Sequence, residues 1–187
     1  MTAQLTALAI SCTLKPSPAE SSTDLLGSQI LSALAEHGVT GELVRAVDHV
    51  ISPGVEADMG GDDQWPTLRE KVHAADILVL LTPTWMGQQS SVAQRVLERL
   101  DAELSETDDA GRPILFDKVA LAGIVGNEDG AHHIAAILFQ SLNDVGYSVP
   151  AQASVYWNGE AMQTVDYKDL DETPEKVAQA VSYTHLR

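Results

Sequence analysis

Asp76–Leu81 (DILVLL) is the stretch that most limits what this chain can fold into. A strand apolar at consecutive positions has no wet face, so it must lie inside a parallel sheet covered on both sides. Its neighbours along the chain supply that cover. Leu5–Ser11 (LTALAIS) reads as a first buried strand. A helix then starts at a cap on Ser22 or Thr23, carries Leu26, Ile30 and Leu34 on one face, and ends near Gly38. Gly41–Val47 is a second, more mixed strand, and Pro66–Ala74 is a short helix with proline in its first turn. Pro83 is expected to stop the strand that Asp76 begins. Val92, Val96, Leu97, Leu100 and Leu104 mark a helix face, and Lys118–Val125 (KVALAGIV) is the fourth strand. Ile134, Ile137, Leu138, Leu142 and Val145 mark the next helix, closed by Gly146. Ser148–Val155 is the fifth strand, and Pro174–Leu186 is a last helix with Val177 and Val181 inward. Strands alternating with helices in this way build one doubly wound α/β domain spanning residues 1–187, with helices on both faces of a parallel sheet.

In such a sheet the ligand sits outside the carboxyl ends of the strands, where the strand order reverses. The loops after strands one, three and four are therefore the ones to read. The first, Cys12–Thr23, carries hydroxyls at Thr13, Ser17, Ser21, Ser22 and Thr23 and one cation, Lys15. Hydroxyls and free amides before a helix suit a monophosphate; the alternative is an ordinary Ser/Pro loop with a capping hydroxyl. Neither a Gly-x-x-x-x-Gly-Lys nor a Gly-x-Gly-x-x-Gly pattern is present. The second loop, Thr82–Ser91, holds Trp85, Met86 and Gly87. An aromatic beside a permissive backbone fits a flat heterocycle, unless Trp85 is plain core. The third, Gly126–His133 (GNEDGAHH), offers Asn127 to a ring edge. Its Glu128, Asp129, His132 and His133 read less well as a metal set, because adjacent histidines diverge and no His-Glu-x-x-His occurs. Asp48–Gln64, rich in Gly and Asp, is long enough to be a mobile flap over the site.

Charge and cysteine content narrow the function classes. The 187 residues carry 11 Lys plus Arg against 27 Asp plus Glu, a formal charge of −16, which repels nucleic-acid backbones. No run approaches the roughly 18 apolar residues of a membrane span. Cys12 is the one cysteine, so no internal disulfide or cysteine cluster can form, and a reducing, cytoplasmic setting is expected. The apolar run before Cys12 lacks a preceding Lys or Arg and reads as strand rather than as a lipoprotein leader. No Gly-x-Ser-x-Gly elbow supports a hydrolase.

Three short motifs in order resemble the flavodoxin-like NAD(P)H-dependent FMN reductases across essentially their whole domain. After strand one that family reads Gly-Ser-x-Arg and then Ser/Asn-Thr; here stand Cys12-Thr13-Leu14-Lys15 and Ser21-Ser22-Thr23. After strand three it reads Thr/Ser-Pro-x-Tyr-x-Gly; here Thr82-Pro83-Thr84-Trp85-Met86-Gly87. Gly126-Asn127-Glu128-Asp129-Gly130-Ala131-His132-His133 looks like the second flavin-edge loop. The resemblance implies a flavodoxin-like three-layer sandwich, a five-stranded parallel sheet of order 2-1-3-4-5. It implies an FMN phosphate held by Thr13, Lys15, Ser21, Ser22 and Thr23. The ring would lie among Pro83, Thr84, Trp85, Met86, Gly87, Gly126, Asn127, Glu128, Asp129, Gly130 and His133. Hydride would pass from NAD(P)H through FMN to a small acceptor such as a flavin or quinone, with no catalytic side chain demanded and no metal. No nucleic-acid or membrane partner is implied, and a homo-oligomer is compatible. The strong acidity keeps a second class open, a flavodoxin-like electron carrier that docks basic partners. A flavin-free scaffold of the same fold is a third.

Overall fold

The computed structural model describes residues 4–183. Its strands are β1 (Thr6–Ser11), β2 (Thr40–Arg45), β3 (Ile77–Trp85), β4 (Gln88–Gln89), β5 (Val119–Gly126) and β6 (Ser154–Asn158). Its helices are α1 (Ser22–Ala35), α2 (Trp65–Ala74), α3 (Ser91–Leu100), α4 (Ala131–Asp144) and α5 (Glu175–Tyr183). The sheet runs β2-β1-β3-β5-β6, all parallel, with the two-residue β4 turned back antiparallel on the end of β3. Leaving β4 aside, this is the expected 2-1-3-4-5 order of a flavodoxin-like sheet.

Alternation along the central strands divides the core. Leu8, Ile10, Leu78, Leu80, Ala120 and Ala122 face α2, α3 and α4. Ala7, Ala9, Val79, Leu81, Leu121 and Val125 face α1 and α5, where Val177 and Val181 are buried as expected. Ile77–Leu81 is apolar throughout because both faces of the strand are covered.

Several boundaries differ from the sequence reading, each for a local reason. The α1 cap is Ser21, whose Oγ accepts from the Asp24 amide at 3.4 Å, rather than Ser22 or Thr23. Three hydroxyls in a row cannot be ranked without the backbone turn. Pro83 does not stop β3. Leu81 still bonds the Cys12 amide on the β1 side, so Pro83, two residues on, points its missing N–H where β1 has already ended. The chain then reverses through Met86 (φ 52°) and Gly87 (φ 72°), both left-handed as a type I′ hairpin turn requires. Leu104 is not on the α3 face. That helix ends at Leu100, a 3-10 turn follows, and Leu104 is 56% exposed. The fifth strand begins at Ser154 rather than Ser148, since Pro150 interrupts the run and Ser148 makes only an isolated bridge to Val119. The expected end of the last helix at Leu186 lies outside the described residues.

Asp48–Gln64 is no flap. Arg99, fully buried, donates to the carbonyls of Ser52 (3.0 Å) and Glu56 (2.8 and 3.1 Å) and pairs with Asp63 at 2.8 Å. Asp63 in turn accepts from the Ser52, Met59 and Trp65 amides. Burial alone would raise that carboxyl, but these amides and the guanidinium bring it down to about 2. Arg95 adds a bond to the Ile51 carbonyl at 2.8 Å. The segment is fastened to α3 and reaches no part of the cavity described next.

Candidate functional site

One cavity of about 370 Å³ opens at the carboxyl ends of β1, β3 and β5, within the range of small-ligand sites. Thr13, Lys15, Ser21, Ser22 and Thr23 border one end, and Pro83, Thr84, Trp85, Gly126, Asn127 and Glu128 the other. Met86, Gly87, Asp129, Gly130 and His133, expected beside them, do not line it. Met86 is 91% exposed at the hairpin tip. His133 turns to Gln88 (3.2 Å) and His132 to the Tyr156 hydroxyl (2.9 Å), so the two histidines diverge.

The first end is assembled around the α1 N-terminus. Amides of Ser22 and Thr23 have no acceptor among the described residues, as the opening turn of a helix dictates. Thr13, Ser21 and Thr23 are buried, while Lys15 is exposed. Arg45 bonds the Lys15 carbonyl (3.1 Å) and holds Asp24, which also accepts from Ser11 Oγ. Asp24 is thereby paired, and Lys15 remains a cation without an ion-pair partner among the described residues. Ser90 caps α3 through the Ala93 amide and donates to the Cys12 carbonyl at 2.7 Å, tying the first loop to the second. Burial pushes the Cys12 thiol well above its usual range, so it is an inert core group.

The other end is formed where two loops meet. A Cβ on Gly130 (φ 143°) would lie 2.7 Å from the Gly87 Cα, so only glycine lets the tip of the hairpin seat there. Glu128 Oε1 accepts the Met86 amide at 2.6 Å and braces the same tip. That brace leaves Trp85 neither core nor fully free: it is 54% exposed, on the cavity wall. Thr84 is 4% exposed and borders the cavity, with its hydroxyl buried and without a partner.

A fourth segment went unread in the sequence. Ala161, Met162 and Asp166, after β6, close the cavity, with Leu14 and Val125. Gly159 bonds the Gly126 carbonyl at 2.8 Å, and Asn127 Nδ2 donates to Asp166 at 3.0 Å. The rule that read the other loops would have found this one, because β6 lies beside β5 and its carboxyl end borders the same opening.

Residues 5–161 match the family described as NADPH-dependent FMN reductase. The chain belongs to that family. Among solved structures, it is similar to RosB with a bound 8-demethyl-8-formylriboflavin-5'-phosphate. The TM-score is 0.86 at 33% identity, covering 96% of this chain and 75% of that one. It is 37% identical over 166 residues to an 8-demethyl-8-aminoriboflavin-5'-phosphate synthase of Streptomyces davaonensis, covering 84% of this chain and 65% of the relative. It is 43% identical over 169 residues to a protein of Mycobacterium bovis named as the divalent metal cation transporter MntH. That match covers 88% of this chain and only 25% of the relative. This FMN reductase family member therefore spans between a quarter and about two thirds of the length of these two curated relatives. Among the described residues no helix is long and apolar enough to cross a membrane.

Proposed function

We propose that this chain is an FMN-binding oxidoreductase that passes a hydride from NAD(P)H, by way of the flavin, to a small acceptor such as a flavin or quinone. The observation that carries the reading is the two-ended cavity: a hydroxyl and amide cradle with Lys15 at one end, and a half-exposed indole on the wall at the other. Thr13, Lys15, Ser21, Ser22 and Thr23 would hold the phosphate, using the free amides and dipole of α1. Thr84 and Trp85, with Gly126–Glu128, would border the ring. Bound FMN supplies the chemistry, accepting two electrons and a proton as hydride and handing them on; the protein binds and orients. With Asp48–Gln64 fastened elsewhere, the ring end is open to a nicotinamide without a lid moving.

The test is anaerobic mixing of the FMN-loaded protein with NADH or NADPH, followed by a quinone. Loss of the visible flavin absorption within minutes, and its return with quinone, is the expected result. Should neither nucleotide bleach a flavin that stays bound, the reductase reading fails and the electron carrier, favoured by the charge of −16, replaces it.

Likeness to the synthase favours a second reading, in which a riboflavin phosphate is the substrate and leaves altered. Mass spectrometry of flavin recovered after turnover separates the two. An unchanged FMN mass supports the cofactor role, and a changed one supports the second reading.

A further inference from the structure

Cations are distributed very unevenly around the cavity. Between Lys71 and Arg95, and again between Lys118 and Lys168, the sequence holds no Lys or Arg. Those two stretches supply every lining residue outside the first loop and the start of α1. Carboxylates do occur there. Glu128 and Asp166 line the cavity, and Asp129 and Glu160 flank it in sequence.

The carboxylates are held by neutral donors and not by cations. Glu128 accepts the Met86 amide, Asp166 accepts Asn127 Nδ2, and Asp129 accepts the Gly130 amide (2.8 Å) and Asn158 Nδ2 (3.2 Å). Such bonds orient a carboxylate and leave its charge intact. The cation next in sequence, Lys168, is bonded to Asp169 at 2.5 Å, lies 3.8 Å from Glu20, and feels Asp166 only at longer range. His132 and His133 are turned to Tyr156 and Gln88.

One further observation marks this end as a place for a ligand. The mouth is apolar, with Leu14, Trp85 and Met162 exposed around it, and Met162 is 99% exposed on a left-handed backbone (φ 72°). A non-glycine residue in that region is strained, and here the strain presents a soft, polarizable side chain at the opening.

We infer that the ring end of the cavity selects its electron acceptor by charge, admitting an uncharged planar aromatic and turning away the same ring bearing an anionic group, with Glu128 and Asp166 as the residues that set the preference. The inference rests on the reading that FMN fills the first part of the cavity. Coulomb repulsion from each carboxylate at roughly 6–8 Å, in a water-exposed mouth, lowers affinity for a monoanion about two- to fourfold, or about tenfold for the pair.

The probes are 1,4-naphthoquinone and its 2-sulfonate, titrated into the oxidised FMN-loaded protein at low salt. Binding is read from the flavin absorption, without turnover. The expected result is a dissociation constant about tenfold higher for the sulfonate, with the ratio falling towards one in Glu128→Gln/Asp166→Asn and at high salt. Both substitutions keep an oxygen acceptor, for the Met86 amide and for Asn127, and so keep the loops braced. A ratio of one or less in the unaltered protein, or a ratio the double variant leaves in place, overturns the inference. The same pair titrated into flavin-free protein, with inorganic phosphate filling the cradle at the α1 N-terminus and binding followed by tryptophan fluorescence, reads the ratio independently. Failure to take up FMN would thus refute the parent reading and leave the charge comparison intact.

Discussion

Replacing Ser22 and Thr23 together by alanine separates a phosphate cradle from a mere helix start. Thr23 is buried without a hydrogen bond of its own, and Ser22 Oγ accepts from the Lys168 amide at 3.2 Å, so both hydroxyl protons are free to donate. The Ser21 cap is untouched, and alanine within the first turn does not weaken a helix. Each hydrogen bond to a charged phosphate is worth about 1.5–3 kcal/mol, so losing two costs about 3–6 kcal/mol. That corresponds to a rise in the FMN dissociation constant of about 10²–10⁴-fold. Riboflavin has the same ring and no phosphate, and its affinity should barely move. Flavin fluorescence quenching measures both constants, and inorganic phosphate should compete with FMN but not with riboflavin. Equal weakening of the two ligands, or of neither, would refute the phosphate assignment.

Four further outcomes follow from the same contacts. Addition of FMN should quench tryptophan fluorescence less in Trp85→Phe than in the unaltered protein; an identical quench would assign the signal to Trp65 or Trp157. Gly130→Ala should cost stability and flavin affinity together, since its Cβ meets the Gly87 backbone at 2.7–3.0 Å and nothing flexible can yield; unchanged melting and binding would show that the loops part without cost. Arg99→Met should destabilise by about 3–5 kcal/mol and expose residues 52–61 to proteolysis while sparing FMN affinity, and a loss of affinity would restore a flap role. Because the Asp63 carboxyl is held at about 2, below its ordinary 3.8, it stabilises the fold above pH 4 and ceases to as pH falls towards 2. The stability difference between the unaltered protein and Asp63→Asn, up to about 2 kcal/mol, should shrink across that window in acid denaturation.

How much was legible in the sequence depends on whether the information is local. The sheet with two covered faces follows from DILVLL alone, and the inward Val177 and Val181 follow from helical spacing. The three loops could be picked out because ligand sites in doubly wound folds occupy the same strand ends, so position lent meaning to otherwise weak motifs. Parts of Cys12–Thr23, Thr82–Ser91 and Gly126–His133 accordingly met around one cavity, while Met86, Gly87, Asp129, Gly130 and His133 stayed off its wall. Other features depend on contacts between residues far apart in the chain, and only the tertiary structure decided them. Asp48–Gln64 reads as mobile until Arg99, in the last turn of an amphipathic helix, is found buried against its carbonyls. Pro83 reads as a strand end until β1 is seen to finish first. Met86 carries no turn signature, and its left-handed backbone is tolerated because Gly130 and Glu128 receive the hairpin. The charge of −16 is a property of composition, but the placing of Glu128 and Asp166 on one cavity arises only when the segments after β5 and β6 meet at the same opening.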